Sequence, residues 1–162
     1  MTGGLVIALG NPARGDDGFG PAVLDALRKT SPTAGDLHRA GDDALALLDL
    51  WADRPWVIAI DAADTGATPG THRRLDVADG FLPAGPARVS SHGFGLAEAV
   101  ELGRRLGRLP RRLIVHSAAG ACFAAGAGLS PAVAAAVPST AEAVRRDIAA
   151  LETTAAAAAP DA

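Results

Sequence analysis

The sequence predicts an α/β fold: a single domain built on a mainly parallel, twisted sheet of about five strands with helices on both faces. Short apolar runs of strand length alternate with longer segments that have helical spacing. Because parallel neighbours need crossover connections, this alternation favours helices that cover both faces of the sheet. The 162 residues suffice for one sizeable core and are too few for two ordinary domains.

Two short apolar runs predict strands that are buried on both faces. Leu5–Leu9 ends at a Gly-Asn turn, and Val57–Ile60 ends abruptly in Asp61. Helical spacing follows in Pro21–Lys29 and recurs in Asp42–Trp51, where one of the two leading aspartates would act as a cap. Asp61 is therefore expected at the carboxyl end of a buried strand.

The middle of the chain predicts an edge strand, a loop, a helix and a further strand. Thr71–Val77 alternates imperfectly between polar and apolar residues, as a short edge strand does. Asp79–Ser91 is punctuated by Pro and Gly and is interpreted as a loop. Gly95–Leu106 resumes helical spacing, and Leu113–Val115 is interpreted as a strand.

The C-terminal third is rich in small residues. Ala118–Gly128 is interpreted as a loop, and Pro131–Leu151 as one or two helices that Pro138 kinks or divides. We therefore expect one folded domain over residues 1–151. Glu152–Ala162 contains an alanine run with too little apolar bulk to hold it in place, so a frayed tail is expected there.

Composition excludes several classes of protein. Hydrophobic residues make up 49% and charged residues 20%, as in ordinary globular proteins. The formal charge of -3 argues against a nucleic-acid partner. Cys122 is the only cysteine, so a metal would need oxygen and imidazole ligands. No apolar segment of about 18 residues and no leader-like N-terminus is found, so no membrane association and a cytoplasmic location are expected.

The loop Gly10–Gly20 holds two adjacent acids, Asp16 and Asp17, among four glycines. Its glycine spacing matches neither common phosphate-binding motif, and two carboxylates at a helix N-terminus would repel phosphate. The loop therefore suits a cation better than an anion. The alternative is that both aspartates only cap the following helix, which is worth about 1 kcal/mol per cap.

Asp61 and His92 are the other candidate ligands. A carboxylate directly after four apolar strand residues is partly desolvated, which raises its affinity for a cation or its use as a base. The alternative for Asp61 is a turn-capping role. For His92 the alternative is an incidental position in a helix N-cap region in which the preceding serines act as caps.

The remaining histidines are placed by the predicted strands. His38, His72 and His116 lie within predicted strands or at their ends, so satisfied or exposed polar positions are expected for them. Two carboxylates and one imidazole form a ligand set that suits zinc, nickel, iron or manganese and leaves positions open for water or substrate. Such a site can polarise a carbonyl or activate water for hydrolysis.

Four motifs, in the right order along most of the chain, resemble the NiFe-hydrogenase maturation endopeptidases. They are Val6–Gly20, Ile60–Ala63, Ser91–Leu96 and Gly128–Pro131. The resemblance implies a phosphorylase/hydrolase-like fold and an endopeptidase that removes the C-terminal extension of a hydrogenase large-subunit precursor after nickel insertion. That precursor is then the expected partner.

The same resemblance assigns the site residues. It implies that Asp17, Asp61 and His92 contact the metal, with Asp16 and Asn11 in support. The nickel is expected to arrive with the substrate, and other divalent metals could occupy the same ligands. One departure concerns the loop after the last strand, where many relatives have an acidic residue and this chain has Ala118-Ala119-Gly120-Ala121. A change in substrate specificity is the expected consequence, and loss of activity is the alternative.

Two alternative functions remain open at this point. The Leu9-Gly10-Asn11-Pro12 segment also resembles the opening of bacterial peptidyl-tRNA hydrolases, which present a basic face to RNA. The acidic pair and the sequence pI near 5.7 oppose that reading. A non-catalytic module that binds a hydrogenase precursor without cutting it is the second alternative.

Overall fold

The computed structural model describes residues 3–31, 35–41, 43–79 and 95–159. Within those ranges the strands are β1 (Leu5–Leu9), β2 (Asp36–Ala40), β3 (Val57–Ala63), β4 (His72–Asp76) and β5 (Leu113–Ala119). The helices there are α1 (Phe19–Thr30), α2 (Ala44–Trp51), α3 (Leu96–Leu106) and α4 (Pro131–Ala158), with short 3₁₀ helices at Gly15–Gly18 and Val77–Asp79.

The strands form one sheet in the spatial order β2-β1-β3-β5-β4. β1, β2, β3 and β5 run parallel, and β4 returns antiparallel to β5 at one edge. The predicted single-domain, mainly parallel α/β fold is confirmed, and the segment predicted as an edge strand lies at an edge. None of the helices in the described ranges is long and apolar enough to cross a bilayer.

Two apolar cores cover the two faces of this sheet. Ile58 and Ile60 of β3 pack with buried residues of α1 and α4 on one face. Val57 and Ala59 pack with α2 and α3 on the other. All five residues of β1 are buried, as expected for a strand that is covered on both sides. The alternation of side chains along each strand therefore decides which face a site residue joins.

Three parts of the fold depart from the sequence-based expectations. β2 has no assigned bounds in the sequence because most of its residues are polar and exposed, as they can be on an edge strand. β3 continues past Asp61 to Ala63, and β5 extends to Ala119 through small residues. Small side chains give a weak strand signal, so apolar periodicity underestimates both lengths.

The C-terminal helix decides one prediction that was left open and corrects another. Of the one or two helices predicted here, α4 is one continuous helix with Pro138 inside it, so the proline does not divide it. The frayed tail predicted from Glu152 is wrong through Ala158, because those residues continue α4. Alanine is the strongest helix former, and Ala155 also packs against the core. Residues 160–162 lie outside the described ranges.

Candidate active site at the carboxyl end of the sheet

The carboxyl ends of β1 and β3 bring the two acidic segments to one edge of the sheet. These strands are parallel neighbours, so the loop after β1 and the end of β3 leave at the same edge. The 3₁₀ helix that carries Asp16 and Asp17 contacts β3. A Cβ at Gly20 would overlap the carbonyl oxygens of Leu9 and Ile60. Only glycine therefore allows α1 to start so close to both strand ends.

Asp16 is fully buried and does not cap α1, whose N-cap position is Gly18. One oxygen of its carboxylate accepts hydrogen bonds from the backbone N–H groups of Ala121 (2.7 Å) and Cys122 (3.0 Å) and from Oγ of Ser130 (2.9 Å). The other oxygen accepts from the N–H of Ser130 at 2.7 Å. Asp16 thereby joins the loop after β1 to both ends of the segment 121–130.

The charge of Asp16 is stabilised by these donors. Burial by itself raises the pKa of this carboxyl, but the four hydrogen bonds from Ala121, Ser130 and Cys122 more than offset it and hold the pKa below its usual value. The group is therefore an ionised, fully used acceptor. Its role is to hold the segment 121–130 in place, and the helix-cap alternative is wrong for it.

Asp17 points to the other side of the same turn and is half-buried. Its Oδ2 accepts a hydrogen bond from the backbone N–H of Asn11 at 2.7 Å. Oδ1 of Asn11 in turn accepts from the N–H of Ala13 at 2.9 Å. Gly10 stands before them with φ of 112°, a conformation that favours glycine. The pair of Asn11 and Asp17 thus shapes the loop, and the cap alternative is wrong for Asp17 too, because Gly18 holds that position.

Asp61 lies in β3 two residues before the strand ends and is half-buried. Its Oδ1 accepts a hydrogen bond from the N–H of Ala62 at 2.8 Å. Its neighbours Ile60 and Ala62 belong to the α1 and α4 core, so the Asp61 side chain projects to the α2 and α3 face. The structure thus places Asp61 in the last polar row of that face.

His92 and the serines before it lie outside the described residues. α3 begins with Gly95 at its N-cap, so the predicted serine cap is not the cap of that helix. Among the residues that the structure describes, no group of three or more His, Cys, Asp or Glu side chains could hold a metal ion. The ligand set of Asp17, Asp61 and His92 therefore stays a prediction. Its two described members, Asp17 and Asp61, have carboxylate oxygens near the carboxyl edge of the sheet.

The segment Ala118–Ala121, where the family resemblance led us to expect an acidic residue, lies at the end of β5. Ala118 and Ala119 are the buried last residues of β5, and Gly120 follows them. A Cβ at Gly120 would overlap the ring of Phe123 and approach the Cβ of Asp16. At position 120 a larger residue would have to displace the Phe123 ring, because the segment 121–130 folds back onto Asp16 there.

A second polar cluster, which sequence patterns did not reveal, lies on the α1 and α4 face. Nδ1 of the fully buried His116 is 2.9 Å from Nε2 of His72, and its Nε2 is 2.7 Å from Oδ2 of Asp147. Arg74 binds both oxygens of Asp147 at 2.8 Å. The expectation that these histidines occupy satisfied polar positions is confirmed for His72 and His116, and the exposed His38 agrees with it as well.

The His116 ring is neutral in this cluster. Burial lowers its pKa to about 4, although the Asp147 hydrogen bond and charge act in the opposite direction. Burial also lowers the pKa of His72. A neutral His116 carries one ring proton, which Nε2 donates to the Asp147 carboxylate, so Nδ1 accepts from His72. The cluster therefore ties β4, β5 and α4 together.

Comparison with known proteins decides between the resemblances. The family model for hydrogenase maturation protease (HycI) matches residues 22–147. The chain belongs to the hydrogenase maturation protease family. The family resemblance is thereby confirmed. The matched range contains the segments of Asp61 and His92 and begins after Asp17.

Individual relatives agree with this family. The chain is 30% identical over 115 residues to the hydrogenase expression/formation protein HupD of Thiocapsa roseopersicina, covering 68% of this chain and 51% of that protein. For HupD of Rhodobacter capsulatus the identity is 31% over 113 residues, covering 67% and 53%. The chain thus spans about half the length of these curated relatives.

Solved structures of the family share its fold over nearly the whole chain. The hydrogenase maturating endopeptidase HybD of E. coli superposes with a TM-score of 0.74 and 27% identity, covering 95% of this chain and 94% of HybD. The hydrogenase 2 maturation peptidase of a Thaumarchaeota archaeon gives a TM-score of 0.65 and 25% identity, covering 90% and 97%.

Proposed function

We propose that this protein is an endopeptidase that removes the C-terminal extension of a NiFe-hydrogenase large-subunit precursor after nickel insertion. The observation that carries the proposal is the convergence of Asp17 and Asp61 at the carboxyl edge of the sheet in a member of the hydrogenase maturation protease family. His92 completes the proposed set. In parallel α/β sheets this edge is where ligands bind.

The nickel of the precursor is the feature that these three side chains would recognise. Asp17 and Asp61 supply carboxylate oxygens and His92 supplies an imidazole nitrogen, a donor set that accepts nickel and other divalent metals. A bound metal ion can polarise a peptide carbonyl or activate a water molecule. Because the metal belongs to the substrate, the three residues act as a test of whether the precursor has been loaded.

The rest of the site keeps these ligands in position. Asp16 binds the segment 121–130 through four hydrogen bonds, and Asn11 donates its N–H to Asp17. A carboxylate that already accepts a backbone hydrogen bond has less freedom to lose when it binds a partner. The loop after β1 is therefore preorganised around Asp17.

Asp17→Ala, Asp61→Ala and His92→Ala are each expected to abolish cleavage of a nickel-loaded precursor. Loss of one of three ligands removes a contact made directly to the recognised metal. The measurement is the mobility shift of the large subunit when its extension is removed, together with mass spectrometry of both products. Asp25→Asn is the matched control, because Asp25 lies exposed on α1 and pairs with Arg39. Retained cleavage in all three alanine variants would refute the assignment.

A non-catalytic module that only binds the precursor is the competing function. Both functions predict co-purification of wild-type protein with the precursor. Only an endopeptidase leaves a shortened large subunit and a free C-terminal peptide. Binding without shortening, with a precursor whose nickel content has been measured, would favour the binding module.

A further inference from the structure

Three side chains form a polar row across the last three strands of the α2 and α3 face. Asp61 of β3 lies opposite Ser117 of β5, and Ser117 lies opposite Arg73 of β4. Residues that are opposite each other in a sheet project to the same face. The adjacent row, Ala59, Val115 and Leu75, is apolar. The polar row thus marks the line at which the core ends and the carboxyl edge begins.

Arg73 is the only cation in this row. Its side chain is exposed, and among the described residues no carboxylate pairs with it. Its neighbour Arg74 projects to the other face, where it binds both carboxylate oxygens of Asp147. Most other arginines of the described ranges also have carboxylate partners, as in the pairs of Arg39, Arg54 and Arg112. The Arg73 guanidinium is therefore available to a ligand.

The charges around the row determine which ligand fits. Arg73 is the positively charged side chain of the row, so an anionic group of a substrate is attracted towards it, away from the acidic side chains at the end of β3. The backbones of β3 and β4 are two strand spacings apart, about 10 Å. An extended peptide covers that distance in about three residues. A guanidinium binds carboxylates through two parallel hydrogen bonds.

We infer that Arg73 is a specificity residue that binds a carboxylate of the precursor's C-terminal extension, about three residues from the part of the substrate held at Asp61. This inference rests on the proposed function. The carboxylate belongs either to an acidic side chain or to the chain terminus of the extension. Ser117, which lies between the two charges, offers a hydroxyl to the peptide as it crosses β5.

Steady-state cleavage of a nickel-loaded large-subunit precursor tests the inference. The precursor is prepared with its natural extension, with every Asp and Glu of the extension changed to Asn and Gln, and with three glycines added at its end. The second form removes the acidic side chains, and the third displaces the terminal carboxylate. Arg73→Gln, Arg73→Lys and Arg111→Gln are compared with wild type. Arg111 is the control because it is exposed, has no carboxylate partner among the described residues and lies before β5 at the opposite edge.

Arg73→Gln is expected to raise KM about tenfold, the loss typical of one charge-assisted hydrogen-bonded pair, with kcat changed less than about twofold. Arg73→Lys recovers part of the loss, and Arg111→Gln has no effect. One of the two altered precursor forms lacks or displaces the carboxylate that Arg73 binds. Wild type is expected to show the same rise in KM, about tenfold, with that form, and Arg73→Gln is expected to show no KM above that of wild type with it.

Two results would overturn the inference. An unchanged KM for Arg73→Gln means that the side chain only protects an edge strand from aggregation, which is the common role of exposed charges there. The second result is a ratio of the Arg73→Gln KM to the wild-type KM that is the same for all three precursor forms. It means that no carboxylate of the extension binds Arg73. In both cases cleavage by wild type leaves the proposed function standing, whereas absence of cleavage by wild type refutes the proposed function itself.

Discussion

At the scale of single residues, the two adjacent aspartates after β1 have opposite tasks. Asp16 is fully buried and uses both oxygens to hold the segment 121–130, whereas Asp17 is half-buried and accepts a hydrogen bond from the N–H of Asn11. The 3₁₀ helix Gly15–Gly18 makes this possible, because successive side chains in such a turn point about 120° apart. Asp16 stabilises the fold, and its neighbour Asp17 is the acid that the proposed function assigns to the site.

Asp16→Ala is expected to lower the free energy of unfolding by about 3 kcal/mol, because it leaves three backbone N–H groups without their acceptor. Ser130→Ala removes one hydroxyl donor and keeps the N–H contact, so a loss of about 1 kcal/mol is expected. Urea unfolding at pH 7 measures both. Equal losses in the two variants would contradict the role assigned to the Asp16 carboxylate.

At the scale of elements, the site depends on the close approach of α1 to two strand ends. The glycine at position 20 permits it, since any larger side chain meets the carbonyl oxygens of Leu9 and Ile60. The same approach puts Phe19, Val23 and Leu24 into the α1 and α4 core. The position of the acidic loop therefore depends on how α1 packs against the sheet.

Gly20→Ala is expected to destabilise the protein by about 1–3 kcal/mol, the usual cost of overpacking, and to reduce precursor cleavage by displacing the loop after β1. Thermal unfolding and the cleavage assay report the two effects. Gly3→Ala is the control, because a Cβ at Gly3 meets no atom within 4 Å. A Gly20→Ala protein with wild-type stability would show that α1 can shift without cost.

At the scale of the whole molecule, titratable groups that are buried or half-buried at several places make the fold sensitive to acid. His116 and His72 are held neutral, and Asp16 and Asp147 are held ionised below their usual pKa. Asp147 is desolvated, which raises its pKa, but Arg74 and His116 lower it by more. In both cases the unfolded chain binds protons more readily than the folded one, so the free energy of unfolding falls as the pH drops. The histidines cause this loss near their ordinary pKa, and the carboxylates cause it at lower pH.

The free energy of unfolding is therefore expected to fall as the pH drops from about 6.5, the ordinary histidine pKa, towards about 4, the pKa of His116. In this window the unfolded chain binds protons that the folded one does not, so each histidine contributes up to about 1.4 kcal/mol per pH unit. Below pH 3.8 Asp16 and Asp147 extend the loss. Urea unfolding at a series of pH values measures the slope.

His116→Phe is expected to flatten this slope, because it removes the most strongly shifted histidine while Arg74 still pairs with Asp147. His38→Gln, at an exposed position of β2, is the control and should leave the slope unchanged. If wild type and His116→Phe lose stability in parallel between pH 6.5 and 4, the cluster of His72, His116 and Asp147 is not the source of the acid sensitivity.

The sequence by itself determined the α/β class, the buried central strands and the family, because short apolar runs and short sequence motifs are local properties of a chain. It also nominated Asp17, Asp61 and His92 as a site, and that assignment stays a prediction. It put His38 in or beside a strand but gave β2 no bounds, since a polar edge strand has no apolar period. It also ended α4 too early, since alanine has little bulk but strong helix propensity.

Only the tertiary structure decided what the polar residues do. The four donors of Asp16 come from residues more than 100 positions away, and the partners of His116 come from β4 and α4. Strand register, which no local pattern reveals, aligned Arg73 and Ser117 with Asp61. Contacts between distant segments depend on how the sheet is ordered, and that order is set by packing of the whole chain.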